Sequence, residues 1–90
     1  MQAIILIKAE KAGLADLGGR LAEVDGVREV YSVAGNWDFV AIVHLGTHED
    51  LARIVPNDVA GLEGVADTMT LVAFEVFSKH DLERIFSIGS

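Results

Sequence analysis

Ninety residues without a cysteine make one small domain that cannot staple itself with disulfides, hold a metal through thiolates or attack a substrate with a thiol. Fourteen acidic against seven basic residues set the net charge at −7, which repels polyanions and argues against direct nucleic-acid binding. Half of the chain (51%) is hydrophobic, yet no apolar run approaches the roughly 18–20 residues that span a bilayer, and the run at residues 3–7 has no basic flank or cleavage-like site.

A cytoplasmic protein with no membrane partner is therefore expected. A chain this short hides only roughly 60–65% of its extended-state surface on folding, so oligomerisation is the expected stabiliser. Gln2 is the sole glutamine and Asn36 and Asn57 the sole asparagines, a depletion of the thermophile kind.

In chain order, Gln2-Ala3-Ile4-Ile5-Leu6-Ile7-Lys8 is β-branched and apolar at odd and even positions alike, the pattern of a strand covered on both faces. Residues 10–13 form a loop. Leu14, Leu17, Leu21 and Val24 then recur at helical spacing, with Asp16, Arg20 and Glu23 between them. Gly18-Gly19 weakens that helix by about 1 kcal/mol per glycine, and close approach of helix to sheet is favoured over a ligand contact as its purpose. Asp25-Gly26 ends the helix.

Residues 27–34 alternate, with Val27, Glu29, Tyr31 and Val33 on one face and Arg28, Val30, Ser32 and Ala34 on the other, which reads as an edge strand. Val33-Ala34-Gly35-Asn36-Trp37-Asp38-Phe39 is a tight reversal into a second strand at residues 38–45, apolar on both faces and expected to be central. His44, at its far end, reads as a half-buried, hydrogen-bonded histidine rather than a catalytic one. Thr47 caps a second helix with Asp50 three residues on. Leu51, Ile54 and Val55 supply its buried stripe, and Pro56 should kink or break it before a further turn through residues 57–62. Residues 65–77 form the last strand, and the tail at residues 80–90 places Leu82, Ile85 and Phe86 on one side of a short helix.

An internal repeat fixes the topology. Val24-Asp25-Gly26-Val27-Arg28-Glu29 and Leu62-Glu63-Gly64-Val65-Ala66-Asp67 share the order apolar, acid, Gly, Val, any, acid, and each closes a helix and opens a strand. Two strand-helix-strand units joined at Gly35-Asn36 give the α+β class: a ferredoxin-like βαββαβ sandwich, with a four-stranded antiparallel sheet and two helices on one face. The first and third strands take the centre. Their second apolar face needs a cover, and the sheet of a second copy is the cheapest one, giving a two-fold dimer packed sheet to sheet as a dimeric α+β barrel.

The helix, Gly26-Val27, strand and Val33-Ala34-Gly35-Asn36-Trp37-Asp38 motif, followed by an apolar strand and a helix closing at Gly64-Val65, resembles the effector-binding domain of the Lrp/AsnC transcription regulators. This is also called the regulation-of-amino-acid-metabolism domain. The resemblance covers residues 2 to about 77. Regulators of that family carry an N-terminal helix-turn-helix, whereas this chain begins at the first strand, so it resembles the stand-alone form. Pro56 falls where the family runs an unbroken helix, and the tail from His80 follows none of its motifs.

The resemblance implies a small effector such as an amino acid, held in a crevice between dimers and touched by the hairpin tip. A zwitterion needs an acceptor for its ammonium and donors for its carboxylate. Asp38 supplies the first, and backbone N–H groups around Gly35 the second. Trp37 offers flat apolar area to a ligand or to a neighbouring subunit. Thr68 and Thr70 match the family's polar positions opposite the tip, and Met69 lines the same crevice. The ligand-binding set expected is thus Val33, Ala34, Gly35, Asn36, Trp37, Asp38, Thr68, Met69 and Thr70, with no catalytic residue, metal or cofactor. The plain structural reading stands beside it: Gly-Asn is a common hairpin reversal, Asp38 a loop acceptor, Trp37 an interface anchor and the threonines strand formers.

The function expected is an oligomeric amino-acid effector-binding protein that regulates amino-acid metabolism or transcription without binding DNA itself, either alone or by mixing subunits with other regulators of the family. The alternative is a small dimeric α+β barrel enzyme of the monooxygenase or isomerase type, which rests on fold analogy. Its candidate groups, His44, His48, Glu75 and His80, lack metal-ligand spacing or nucleophile-base order. The tail is expected to join dimers into rings.

Overall fold

The first strand organises the sheet. In the computed structural model, which describes residues 1–79, β1 (Gln2–Ala9) pairs antiparallel on both sides. It meets β3 (Phe39–His44) through Ile4↔Ile42 and Leu6↔Val40, and β4 (Val65–Ala73) through Ile5↔Thr70 and Leu6↔Met69. β2 (Val27–Ser32) adds outside β3, so the order is β2-β3-β1-β4. The two strands with uninterrupted apolar sequence are the central ones, as their composition requires.

Both helices lie on one face of this sheet. α1 (Leu14–Ala22) follows a single 3₁₀ turn at Lys11–Gly13 and buries Leu17 and Leu21 completely, one helical turn apart. A Cβ on Gly18 would stand 3.0 Å from the Phe39 ring, so glycine there lets the helix sit close to β3, whereas Gly19 faces open space. α2 (His48–Arg53) starts with the expected cap: the Thr47 hydroxyl accepts from the Asp50 N–H at 3.2 Å, and Asp50 Oδ2 accepts from the Thr47 N–H at 3.1 Å.

Pro56 does not break the helix. The chain instead widens into a π-helical segment, Ile54–Val59, with the Ala60 N–H donating to the Val55 carbonyl at 2.8 Å. Wider winding gives the proline ring room and absorbs its missing N–H. It also keeps Ile54 and Val59 in one core with Ala3, Ile5, Ile7, Leu17, Leu21, Phe39, Ala41, Val43 and Leu45.

The repeat seen in sequence is a repeat in backbone. Gly26 and Gly64 take φ of +97° and +99°, and in each turn the following valine N–H returns to the residue three back: Val27 to Val24 at 3.0 Å, Val65 to Leu62 at 3.2 Å. Positive φ is the conformation that side chains with a Cβ resist.

Three expectations need correction. β4 stops at Ala73 rather than residue 77, because its ladder with β1 runs out at Gln2↔Ala73. β2 does not alternate throughout: a bulge between Val27 and Glu29 turns Val27 toward the core with Val30, leaving Glu29 and Tyr31 on the face opposite the helices. His44 is exposed rather than half-buried, since alternation between buried Val43 and Leu45 turns it to the face the helices do not cover. The tail expected to form a short helix, and the division of the chain at residues 79 and 80, involve residues outside the described ones.

Candidate functional site

Residues 33–38 close the hairpin between β2 and β3, and hydrogen bonds fasten them to the end of β1. The Val33 N–H donates to the Asp38 carbonyl at 3.0 Å, and the Asp38 N–H donates to the Ile7 carbonyl at 2.9 Å. Asp38 Oδ2 accepts from the Ala9 N–H at 2.8 Å, and Lys8 Nζ donates to the Asn36 carbonyl at 2.9 Å. The reversal itself runs through Gly35 at φ +128°. Val33, Ala34, Gly35 and Asn36 are exposed, while Trp37 and Asp38 are half-buried.

Asp38 is therefore first a latch, holding the end of β1 to the start of β3 across 29 positions of sequence. A carboxylate accepting from a backbone N–H is among the stronger protein hydrogen bonds. Its other oxygen makes no hydrogen bond among the described residues. A donor approaching from outside finds a fixed acceptor there. Lys8 and Ala9 are the contributors that sequence reading missed. A lysine closing an apolar strand carries no signal that its ammonium will turn onto a loop 28 positions away.

The β4 residues lie on two faces of the strand. Thr68 pairs with Ile7 and Thr70 with Ile5, both of which are buried under the helices, whereas Met69 pairs with Leu6 on the opposite face. Strand alternation thus divides the three. At about 4.8 Å per strand, Thr68 lies about 10 Å from Phe39 across β1, at the same end of the sheet as the tip. Within one chain, the nine expected residues make a rim rather than an enclosed pocket.

A separate open groove lies at this end. A groove of about 360 Å³ is lined by Glu10, Ala12, Gly13, Asp16, Arg20, Glu63 and Gly64, none of them expected site residues. Its guanidinium is engaged at two of three nitrogens: Arg20 Nη1 donates to the Glu63 carbonyl at 2.7 Å and Nη2 to Asp16 Oδ1 at 3.2 Å, while Nε is buried without a partner among the described residues. With the Glu10 N–H donating to the Gly64 carbonyl at 2.8 Å, this is the seam joining α1 to the start of β4.

The groups an enzyme would use are scattered. His44 ends β3, His48 opens α2, and both are exposed, as is Glu75; His80 lies outside the described residues. Among the described residues no three His, Asp or Glu side chains cluster to hold a metal, and no helix is long and apolar enough to cross a membrane.

The sequence matches the family described as the Lrp/AsnC ligand binding domain over residues 2–82. An uncharacterised HTH-type transcriptional regulator of Pyrococcus horikoshii is 36% identical over 75 residues, covering 80% of this chain and 50% of the relative. The chain spans about half the length of the curated relatives it matches. The crystal structure of TTHA0845 from Thermus thermophilus superposes with a TM-score of 0.80 at 40% identity, covering 87% of this chain and 98% of that one. The feast or famine regulatory protein of Mycobacterium tuberculosis, solved complexed with L-methionine, shares the fold at a TM-score of 0.74 and 22% identity, with 87% of this chain and 52% of that one covered.

Proposed function

The chain belongs to the Lrp/AsnC ligand binding family, and on that premise we propose that it is an oligomeric, non-enzymatic sensor of a free amino acid. The observation that carries this reading is the fastened hairpin tip. Asp38 stands half-buried with one oxygen latched to Ala9, beside the exposed backbone of Gly35 and Asn36. The unlatched oxygen accepts the ligand ammonium, and the backbone N–H groups of the tip receive its carboxylate. A site so shallow needs a wall from elsewhere. Sheet-to-sheet dimers that pack further against one another would bring a second subunit against the tip, with Thr68, Met69 and Thr70 as the remaining contacts of this reading.

The methionine complex of the mycobacterial relative supports an amino acid as the ligand class. The HTH-type names of the relatives support a link to transcription control in the cytoplasm, which on this reading the chain joins by mixing subunits with such regulators rather than by reading DNA. Its net charge of −7 supports that division of labour.

Isothermal calorimetry against the twenty amino acids tests the reading. We expect at least one to bind at micromolar to millimolar concentration and Asp38→Ala to lose that binding while the assembly persists. No heat from any of them at millimolar ligand, with the assembly intact, rejects it.

A further inference from the structure

The hairpin tip holds a cation that the reading above leaves idle. Lys8 lies near the end of β1, and its Nζ donates to the Asn36 carbonyl at 2.9 Å, which fixes an ammonium on the backbone of the tip. An ammonium has three N–H donors, and this bond uses one of them. The side chain is exposed and makes no ion pair among the described residues. A partner for one stands close: Asp67 pairs with Lys8 in the β1–β4 register, an arrangement that favours a cross-strand ion pair. Asp67 Oδ1 instead accepts from the Thr68 N–H at 2.8 Å, and the lysine head turns to the tip on the β3 side of β1.

Charge shows what such a cation is suited to. The chain carries −7 overall, so a carboxylate meets a repelling surface unless a positive charge stands where it docks. Arg20 and Arg53 are already matched with carboxylates near them in sequence, Asp16 for the first and Asp50 and Asp58 for the second. Lys8 is not matched, and it sits beside the opposite charge a zwitterion also needs. The next residue, Ala9, donates its N–H to Asp38 Oδ2 at 2.8 Å. Consecutive positions of one strand thus tether a cation and an anion at the tip, and tethering before the ligand arrives lowers the ordering cost of binding.

We propose that Lys8 Nζ binds the carboxylate of the ligand, alongside the tip's backbone N–H groups, while Asp38 binds its ammonium. The pair then selects a free α-amino acid over an amine that lacks the carboxylate charge. This rests on the amino-acid sensing proposed above and adds the residue that sets its selectivity.

Calorimetry of the full chain with the twenty amino acids and their α-carboxamides tests it, at about pH 6, where both kinds of ammonium are protonated. The amide keeps the side chain and the ammonium and removes the negative charge. Wild type should bind the acid at least about tenfold more tightly than its amide, and Lys8→Met should lose most of that preference with affinity for the amide changed less than about twofold. Lys8→Arg should restore the preference. If Lys8→Met weakens acid and amide alike, or weakens neither, the lysine only braces the tip; the inference then fails while sensing through Asp38 stands. A wild-type chain that binds acid and amide equally overturns the inference without any variant, and one that binds no amino acid overturns both readings.

Should Lys8→Met lose its fold by circular dichroism, Lys8→Gln gives a second measurement, since it keeps a donor for the Asn36 carbonyl and drops the charge. The same acid-to-amide ratio decides: a fall supports the carboxylate contact, and a ratio equal to that of wild type overturns it.

Discussion

The two faces of the sheet have nearly the same composition and opposite fates. On one, Ala3, Ile5, Ile7, Ala41 and Val43 are wholly shut away beneath the helices; on the other, Ile4, Leu6, Val40 and Ile42 are half-covered and Tyr31, Met69 and Leu71 half-exposed. Side chains of the same hydrophobicity are finished on one side and unfinished on the other. The difference teaches where the described subunit's own packing ends, since its helix layer covers one face only and the second is the face that the proposed assembly would cover.

The largest test of this contrast sets Leu21→Ala against Leu71→Ala. Removing the Leu21 side chain leaves a cavity in a closed core and should cost about 2–5 kcal/mol at any protein concentration. Leu71→Ala should cost under about 1 kcal/mol in dilute solution, where a half-exposed side chain loses little burial, and more as concentration rises and the partner arrives. Urea unfolding at two concentrations measures both. Equal losses at the lower one would make the open face part of the subunit's own core, and the contrast would fail.

A smaller effect separates the α1 seam from the exposed hairpin tip at the same end of the sheet. Gly64 and Gly35 both sit at positive φ, +99° and +128°, but a Cβ on Gly64 would meet Arg20 Nη2 at 3.2 Å and the Gly13 Cα at 3.4 Å, while one on Gly35 would meet nothing within 4 Å. Gly35→Ala should therefore show torsional strain alone, about 1 kcal/mol, and Gly64→Ala strain plus crowding, about 2–3 kcal/mol. Thermal unfolding of the two variants checks the order. The reverse order would mean that the tip, not the α1 seam, is the more tightly built.

Topology was legible in the sequence because several signals agreed on it. The acid-Gly-Val repeat marked both helix-to-strand junctions, and the doubly apolar strands marked the centre of the sheet. Thr47 and Asp50 announced the start of α2 through a side-chain bond made within four residues. What escaped was set by contacts distant in sequence. The end of β4 depends on where its neighbour β1 begins to pair, the face of Val27 on a bulge, and the winding at Pro56 on the need to keep Ile54 and Val59 buried. At the candidate site the motif located the tip, but the groups that hold it, Lys8 Nζ and the Ala9 N–H, arrive from across the sheet. The register of β4 sends Met69 to the face opposite Thr68 and Thr70, a division that the motif does not carry.

The finest probe of the open face is its one phenol. Tyr31, the sole tyrosine of the chain, donates its hydroxyl hydrogen to Glu29 Oε2, and that bond, then the carboxylate's charge, raises its pKa above the usual 10.0. The folded chain thus favours the neutral phenol. Stability linked to Tyr31 is fully present below pH 10.0 and is lost as the pH rises through the higher folded value. Ultraviolet titration of phenolate should give a midpoint above 10.0, and Glu29→Ala should lower it by removing both the bond and the charge. If a second copy covers this face, the wild-type midpoint should also rise with protein concentration, because burial disfavours the phenolate further. A midpoint that moves with Glu29 but not with concentration would confine the effect to one subunit and place Tyr31 outside the covered area.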